Sequence, residues 1–287
     1  MAAFAMPSSA RPATPITSRN DIRVRRIRRL HLRAERDRAG LYYIEGMRFV
    51  SEAARHHVHI QTLVVCPPLL THPFAQKLVR WLRRAGTPAI EVTPEVLQSL
   101  ALVDDPQGVG AVVHQQWEAL DQVRPGGELC WIALDTVQSP GNLGSILRTS
   151  EAVGGAGLIV LGDGVDPYDP ATVRSSMAAG FAQRFVRTTP AALARWTARH
   201  QWSLVGTSPA AALDYHAVAY RAPAILLMGG ERKGLSAELQ ALCDPVVRIP
   251  MVGRSDSLNL AVATSVMLYE LFNQRRDREP PPADSRN

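Results

Sequence analysis

The apolar positions of this chain fall into short continuous runs that alternate with stretches of helical spacing. Runs at Leu41–Glu45, Ile60–Val65, 89–92 and 109–113 predict strands in the first third. A narrow stripe of Ile22, Val24, Ile27, Leu30 and Ala34 predicts a single helix stopped by Gly40. Further helices are predicted over Met47–Arg55, over 74–84 with Leu78, Val79 and Leu82 inward, and from Pro94, well suited to a first turn. Beyond residue 128, strands are predicted at 129–134, 158–161, 185–187, 203–206, Ala224–Met228 and 246–249. Helices near 142–153, 171–179, 190–199 and 237–242 lie between them. Strands apolar at nearly every position predict a mostly parallel sheet covered on both faces.

The last helix is predicted from Leu258, with Leu260, Ala261, Val262, Ala263, Val266, Met267, Leu268 and Leu271 apolar on almost every side. Such a helix is expected to be buried. Ser257 and Asn259 at its start read either as helix caps or as polar groups of a site where a strand end meets a helix start. The pattern divides the chain into a tail at 1–18, an α/β domain at 19–114, and a polar linker at 115–128 containing Pro125, Gly126 and Gly127. A second α/β domain follows at 129–274, then a charged, Pro-rich tail at 275–287. Both tails are expected to be disordered.

Composition changes this picture in two places. No apolar run reaches membrane-spanning length, and the first residues do not read as a signal peptide. Three scattered cysteines (Cys66, Cys130, Cys243) without ligand spacing suit a reduced, cytoplasmic protein with no metal site. The net charge is +6, and residues 19–38 alone carry nine arginines against Asp21, Glu35 and Asp37, so the remainder is balanced. That cluster reads as a solvated helix face or as a surface that tracks nucleic-acid phosphates, with Arg25, Arg26 and Arg29 its candidate contacts.

In a parallel sheet, ligands bind beyond the carboxyl ends of the strands. Three strand ends carry unusual residues. After Asp135, the residues Pro140, Gly141 and Gly144 shape a turn that holds Asn142 and leads into a helix carrying Arg148. After Met228 comes Gly229-Gly230-Glu231, where glycines permit close backbone approach of a ligand. It is not a phosphate loop, because Lys233 precedes Gly234, and no G-x-G-x-x-G follows any strand. The third end is Ile249-Pro250-Met251, followed by Ser257-Leu258-Asn259.

These three segments together resemble the SpoU (TrmH-type) family of RNA ribose 2′-O-methyltransferases, in the SPOUT superfamily. The family pattern pairs an Asn and an Arg six apart, then G-x-E-x-x-G-L, then I-P-M and S-L-N. Here these are Asn142 and Arg148, then 229–235, then 249–251 and 257–259. More loosely, Glu45-Gly46, Pro106-Gln107-Gly108 and the Arg-rich first helix resemble the family's L30e-like substrate-binding domain. The resemblance implies an α/β domain with a deep trefoil knot, S-adenosylmethionine (AdoMet) as methyl donor, and a homodimer through the C-terminal domain whose sites use residues of both subunits. It implies Thr207, Gly229, Gly230, Ile249, Met251 and Leu258 as AdoMet contacts. Asn142, Arg148, Glu231, Ser257 and Asn259 become the catalytic set. A guanidinium is always charged in proteins, so Arg148 is better suited to orienting the hydroxyl or stabilising its alkoxide than to acting as a base. The RNA is expected to be rRNA or tRNA. The alternatives are a non-catalytic RNA-binding or ribosome-assembly protein of the same fold, and an enzyme that methylates a base nitrogen.

Overall fold

The structure, a computed structural model, describes residues 14–278 apart from Val165, Arg232 and Lys233. The predicted tail beyond 278 and the first thirteen residues lie outside the described residues. The chain forms two compact units that divide between His114 and Gln115.

The first unit runs α1 (Ile22–Arg29), α2 (Arg33–Ala39), β1 (Leu41–Glu45), α3 (Met47–Arg55), β2 (Ile60–Val65), α4 (Pro73–Arg84), β3 (Ala89–Glu91), α5 (Pro94–Gln98) and β4 (Val109–His114). Its sheet has the order β1-β4-β2-β3. β4 is antiparallel to both neighbours, with Val112 opposite Tyr43 and Ala111 opposite Leu63, while β2 and β3 are parallel. One core joins Val24, Ile27 and Leu30 to Val64, Val96, Leu97 and Val112. Ile16 belongs to it, 7% exposed, with its N–H donating to the Glu91 carbonyl. The tail predicted over 1–18 is therefore tied down before its expected end.

The single helix predicted from Ile22 to Gly40 is two helices. Leu30 caps the first, and the second ends as expected on Gly40 at φ 64°, a conformation glycine adopts without a steric penalty. The break serves Arg36, which is 1% exposed and donates to the carbonyls of Leu30 and His31. A buried guanidinium needs acceptors, and the interrupted helix supplies them. Ala34, counted in the apolar stripe, faces outward once the helical phase restarts.

His31 sits beside this junction with its Nε2 buried and unpartnered among the described residues. Burial, with Arg36 and Arg28 adding to it, holds its imidazole below the ordinary value of 6.5. The folded protein then binds a proton at His31 more weakly than the unfolded chain does. Above about pH 6.5 neither state is protonated; below it the unfolded chain gains the proton first, so stability falls with pH. His114, pushed the same way by burial and by the neighbouring His59, adds to the slope. Thermal melts of the full chain across this window are expected to lose stability on acidification, and His31→Gln to flatten that loss. An unchanged slope in the variant would refute the assignment.

The second unit adds β5 (Trp117–Glu118), β6 (Trp131–Asp135), α6 (Pro140–Ala152), β7 (Gly157–Leu161), α7 (Pro170–Ser175), β8 (Arg184–Thr188), α8 (Pro190–His200), β9 (Ser203–Thr207), β10 (Leu213–Asp214), β11 (Ala224–Met228), α9 (Ala237–Gln240), β12 (Val246–Arg248) and α10 (Leu260–Arg278). The eight strands form one sheet in the order β10-β12-β9-β11-β6-β7-β8-β5, and every pair is parallel. β6, β7 and β11 are buried along most or all of their length, as expected of central parallel strands. The segment read as a linker contributes β5, in register with Phe185 and Val186. Likewise, the tail read from residue 275 begins inside α10, where Arg275 donates to the Gly127 carbonyl and Arg278 to that of Tyr220.

α10 starts at Leu260, two residues later than the apolar pattern suggests. The Asn259 side chain stops it there, accepting from the N–H groups of Ala261 and Val262. The helix is not buried all round either. Leu260, Thr264, Met267, Leu268 and Leu271 face the core, while Val262 and Tyr269 are about half exposed, as is Leu258 to a lesser extent.

Candidate active site

Chain order makes the site. β7 and β8 are laid down on one side of β6, and β9, β11 and β12 on the other. The carboxyl ends of these last three open into a cavity of about 340 Å³. Thr207 ends β9, Met228 ends β11, and Ile249 and Met251 follow β12. Ser257, Leu258, Leu260 and Ala263 close the wall from the approach to α10 and its first turn. All six residues expected to hold a cofactor, Thr207, Gly229, Gly230, Ile249, Met251 and Leu258, line this one cavity.

The turn after β11 explains its glycines in two ways. A Cβ on Gly229 would lie 2.1 Å from the Gly234 carbonyl carbon and 2.2 Å from the Leu235 nitrogen. The chain crosses itself there, and the Gly234 N–H returns to the Gly230 carbonyl at 2.9 Å. Gly229 is thus required by the protein's own backbone, a reason its sequence context did not reveal. Gly230 has more room, its nearest neighbours being the Thr136 and Asp135 carbonyls at 3.4 and 3.5 Å. Gly144, expected to shape a turn, lies inside α6. A Cβ there would meet Ser175 Oγ at 2.0 Å, so it sets the close approach of α6 to α7.

Of the five residues expected to carry chemistry, three form one hydrogen-bonded chain. Asn259 Nδ2 donates to Asn142 Oδ1 at 3.0 Å, and Asn142 Nδ2 donates to Glu231 Oε1 at 2.6 Å. These contacts tie the start of α10, the first turn of α6 and the β11 turn together. Asn142 is held from its backbone side too, because Ser139 caps α6 and accepts its N–H. Ser257 stands on the cavity wall with its hydroxyl donating to Asp256. Arg148 is apart. Six residues beyond Asn142 it points about 240° round the helix. It is exposed, has no hydrogen bond or ion pair among the described residues, and does not line the cavity.

Sequence reasoning missed several wall residues: Ser208, Met228, Gln240, Asp256, Leu260 and Ala263. Met228 and Ala263 were open to inference, one as the last residue of its strand and the other a turn beyond Asn259. The walls suit AdoMet. Met228, Val247, Ile249 and Leu258 offer an apolar slot, and backbone groups of the two crossing segments offer directional hydrogen bonds. Glu231, Asp256 and Ser257 give it a polar end. When bound, AdoMet supplies an electrophilic methyl group. Among the described residues there is no group of three His, Cys, Asp or Glu that could hold a metal ion.

The arginine cluster of the first unit is largely consumed by structure. Arg23 pairs with Asp21, Arg29 and Arg38 share Glu35, and Arg33 pairs with Asp37. Arg28 bonds Ser99 and Arg36 is buried. Arg25 and Arg26 remain exposed with no partner among the described residues. With Arg23, Arg29 and Arg38 they rim a groove of about 750 Å³ floored by Ile27, Leu30, Ile90 and Val112.

Comparisons with known proteins agree with this geometry. The SpoU rRNA methylase family model matches residues 130–269, and an MRM3-like substrate binding domain matches 21–111. The chain is 35% identical to the 23S rRNA (uridine(2479)-2′-O)-methyltransferase of Streptomyces viridochromogenes, covering 85% of this chain and 86% of that one. An AdoMet-bound rRNA methyltransferase from Sinorhizobium meliloti superposes with a TM-score of 0.83 at 34% identity, covering 92% of this chain and 98% of that one. The SpoU methyltransferase AviRb of Streptomyces viridochromogenes, in complex with AdoMet, gives 0.82 at 34% identity over 89% and 98%. With the cavity, its polar rim and these likenesses together, the chain belongs to the SpoU family and is an AdoMet-dependent RNA ribose 2′-O-methyltransferase.

Proposed function

We propose that the enzyme methylates a ribose of 23S rRNA in the cytoplasm, as a homodimer formed through its C-terminal unit around a deep trefoil knot. The observation that carries the site assignment is the single cavity at the ends of β9, β11 and β12, with the Asn259–Asn142–Glu231 chain at one corner. The rRNA assignment draws on relatives whose names specify 23S rRNA or rRNA.

In this reading Thr207, Gly229, Gly230, Ile249, Met251 and Leu258 hold AdoMet. Asn142, Glu231, Ser257 and Asn259 position ribose or phosphate groups. Arg148 steadies the 2′-oxygen as its proton leaves, and the main gain comes from alignment. The homodimer is supported from two directions. Arg148 lies off the cavity of its own chain, and α10 presents Val262 and Tyr269 to solvent, seven residues apart on one face beside the cavity wall. A second copy covering that face would bury apolar surface and bring in a further Arg148. RNA is drawn to the groove of the first unit by Arg25, Arg26 and Arg29. Since Glu35 already neutralises part of Arg29, the first two contribute more.

Mapping 2′-O-methylated nucleotides in total RNA from cells with and without the gene tests the proposal. One modification is expected to vanish from 23S rRNA. A loss confined to tRNA, or none, overturns the rRNA assignment. Charge reversal at Arg25, Arg26 and Arg29 is expected to weaken RNA binding at moderate salt by tenfold or more, on the order of the salt-linked loss of several phosphate contacts, while AdoMet affinity stays unchanged.

A further inference from the structure

We propose that the outward face of α4 is a second RNA contact, where unpaired bases stack on Phe74 and Trp81 among Lys77, Arg80 and Arg84. The inference rests on the RNA-methylating reading and adds to it a surface away from the arginine groove.

The face follows from helical phase. Ala75, Leu78, Val79 and Leu82 are 9% exposed or less and complete the inner side of α4. Phe74, Lys77, Arg80, Trp81 and Arg84 fall within about 120° of one another on the opposite side. Phe74 is 48% exposed and Trp81 56%. By contrast, Trp131, Trp196 and Trp202 are all buried. The core is filled without these two rings, so packing does not account for them.

Charge selects the occupant. α4 carries no acidic residue. Lys77, Arg80 and Arg84 have no hydrogen bond or ion pair among the described residues, whereas Arg83, just round the helix, is paired with Glu91 at 2.9 Å. An apolar protein partner would leave three cations without counter-charges. Duplex RNA would use the cations and ignore the rings. Unpaired RNA uses both, since its phosphates meet the cations and its splayed bases meet flat aromatic faces. The two rings, seven residues apart, stand about 10 Å from each other along the axis, so each takes its own base.

The test uses the full chain, a fluorescein-labelled oligouridylate and a duplex RNA of equal length. Trp81→Ala is expected to weaken oligouridylate binding about tenfold, the scale of one lost base–aromatic stack, and to leave duplex and AdoMet binding within twofold. Trp81→Phe restores most of the loss. Reversing Lys77, Arg80 and Arg84 to Glu weakens both RNAs and flattens the salt dependence. Wild-type affinity in the Phe74→Ala/Trp81→Ala double variant overturns the proposal, as does a Trp81→Phe variant no better than alanine. If that double variant binds normally while the wild-type protein methylates RNA, only this inference fails. If the wild-type protein neither binds nor methylates RNA, the underlying reading fails with it.

Discussion

Arg148→Ala is expected to remove methyl transfer almost completely while leaving the protein folded and able to bind AdoMet. The side chain is exposed and has no partner among the described residues, so its loss leaves no buried group unsatisfied. Surface changes of this kind shift stability by about 0.5 kcal/mol or less. The cavity wall does not include it, so the AdoMet dissociation constant stays put. In the role proposed for Arg148, what is lost is a cation beside the oxygen that becomes negative. Removing one such stabilising donor costs on the order of 10²–10³-fold in turnover, and lost alignment adds to it. Arg148→Lys is expected to recover only part, because a point charge replaces a planar fork. Single-turnover transfer of labelled methyl to rRNA, beside calorimetric AdoMet titration, measures both halves. Turnover within tenfold of wild type would sink the role.

Gly229→Ala is expected to have the largest effect on the cofactor site, and by a different route. The added Cβ would stand 2.1–2.2 Å from backbone atoms of Gly234 and Leu235, which cannot swing aside as a flexible side chain does. The turn must open. Overpacking of this kind costs about 1–3 kcal/mol or more, and here the displaced segment is itself a cavity wall. AdoMet affinity is therefore expected to fall at least tenfold together with a lowered melting temperature. Gly230→Ala is the control, since its Cβ meets carbonyl oxygens only at 3.4 and 3.5 Å. It is expected to keep most stability. The opposite ranking of the two variants would show that ligand approach, not chain crossing, demands the glycine.

Much of this fold is legible in residue order because the physical constraints are local. A strand such as Ala224–Met228, apolar at every position, has nowhere to go but the middle of a covered sheet. α3 and α4 are bounded by residues that start or stop helices for steric reasons, including Gly46 before one and Pro73 in the other. The parts that were not legible depend on distant partners. Arg36 reads as one more surface arginine until the Leu30 and His31 carbonyls turn towards it. β5 and β10 have two residues each, too few for any period to register. The residues of the three motifs that line the cavity could be named in advance, but the backbone contact that requires Gly229 could not. The atoms that exclude its side chain come from five and six residues downstream. Arg148 shows the reverse. Its angle from Asn142 follows from the helical repeat, so its separation from the Asn142 side chain was open to inference from spacing alone.

The chain from Asn259 through Asn142 to Glu231 has a polarity. An ionised carboxylate accepts hydrogen bonds and never donates, so Glu231 obliges Asn142 to present its NH₂ there and its carbonyl to Asn259. Asn259 must then turn its own NH₂ to Asn142, which leaves its oxygen for the first N–H groups of α10. One negative charge thus sets the orientation of two amides and the starting point of a nineteen-residue helix. A glutamine at 231 would keep the shape and lose the signal, since an amide there satisfies either orientation of its neighbour.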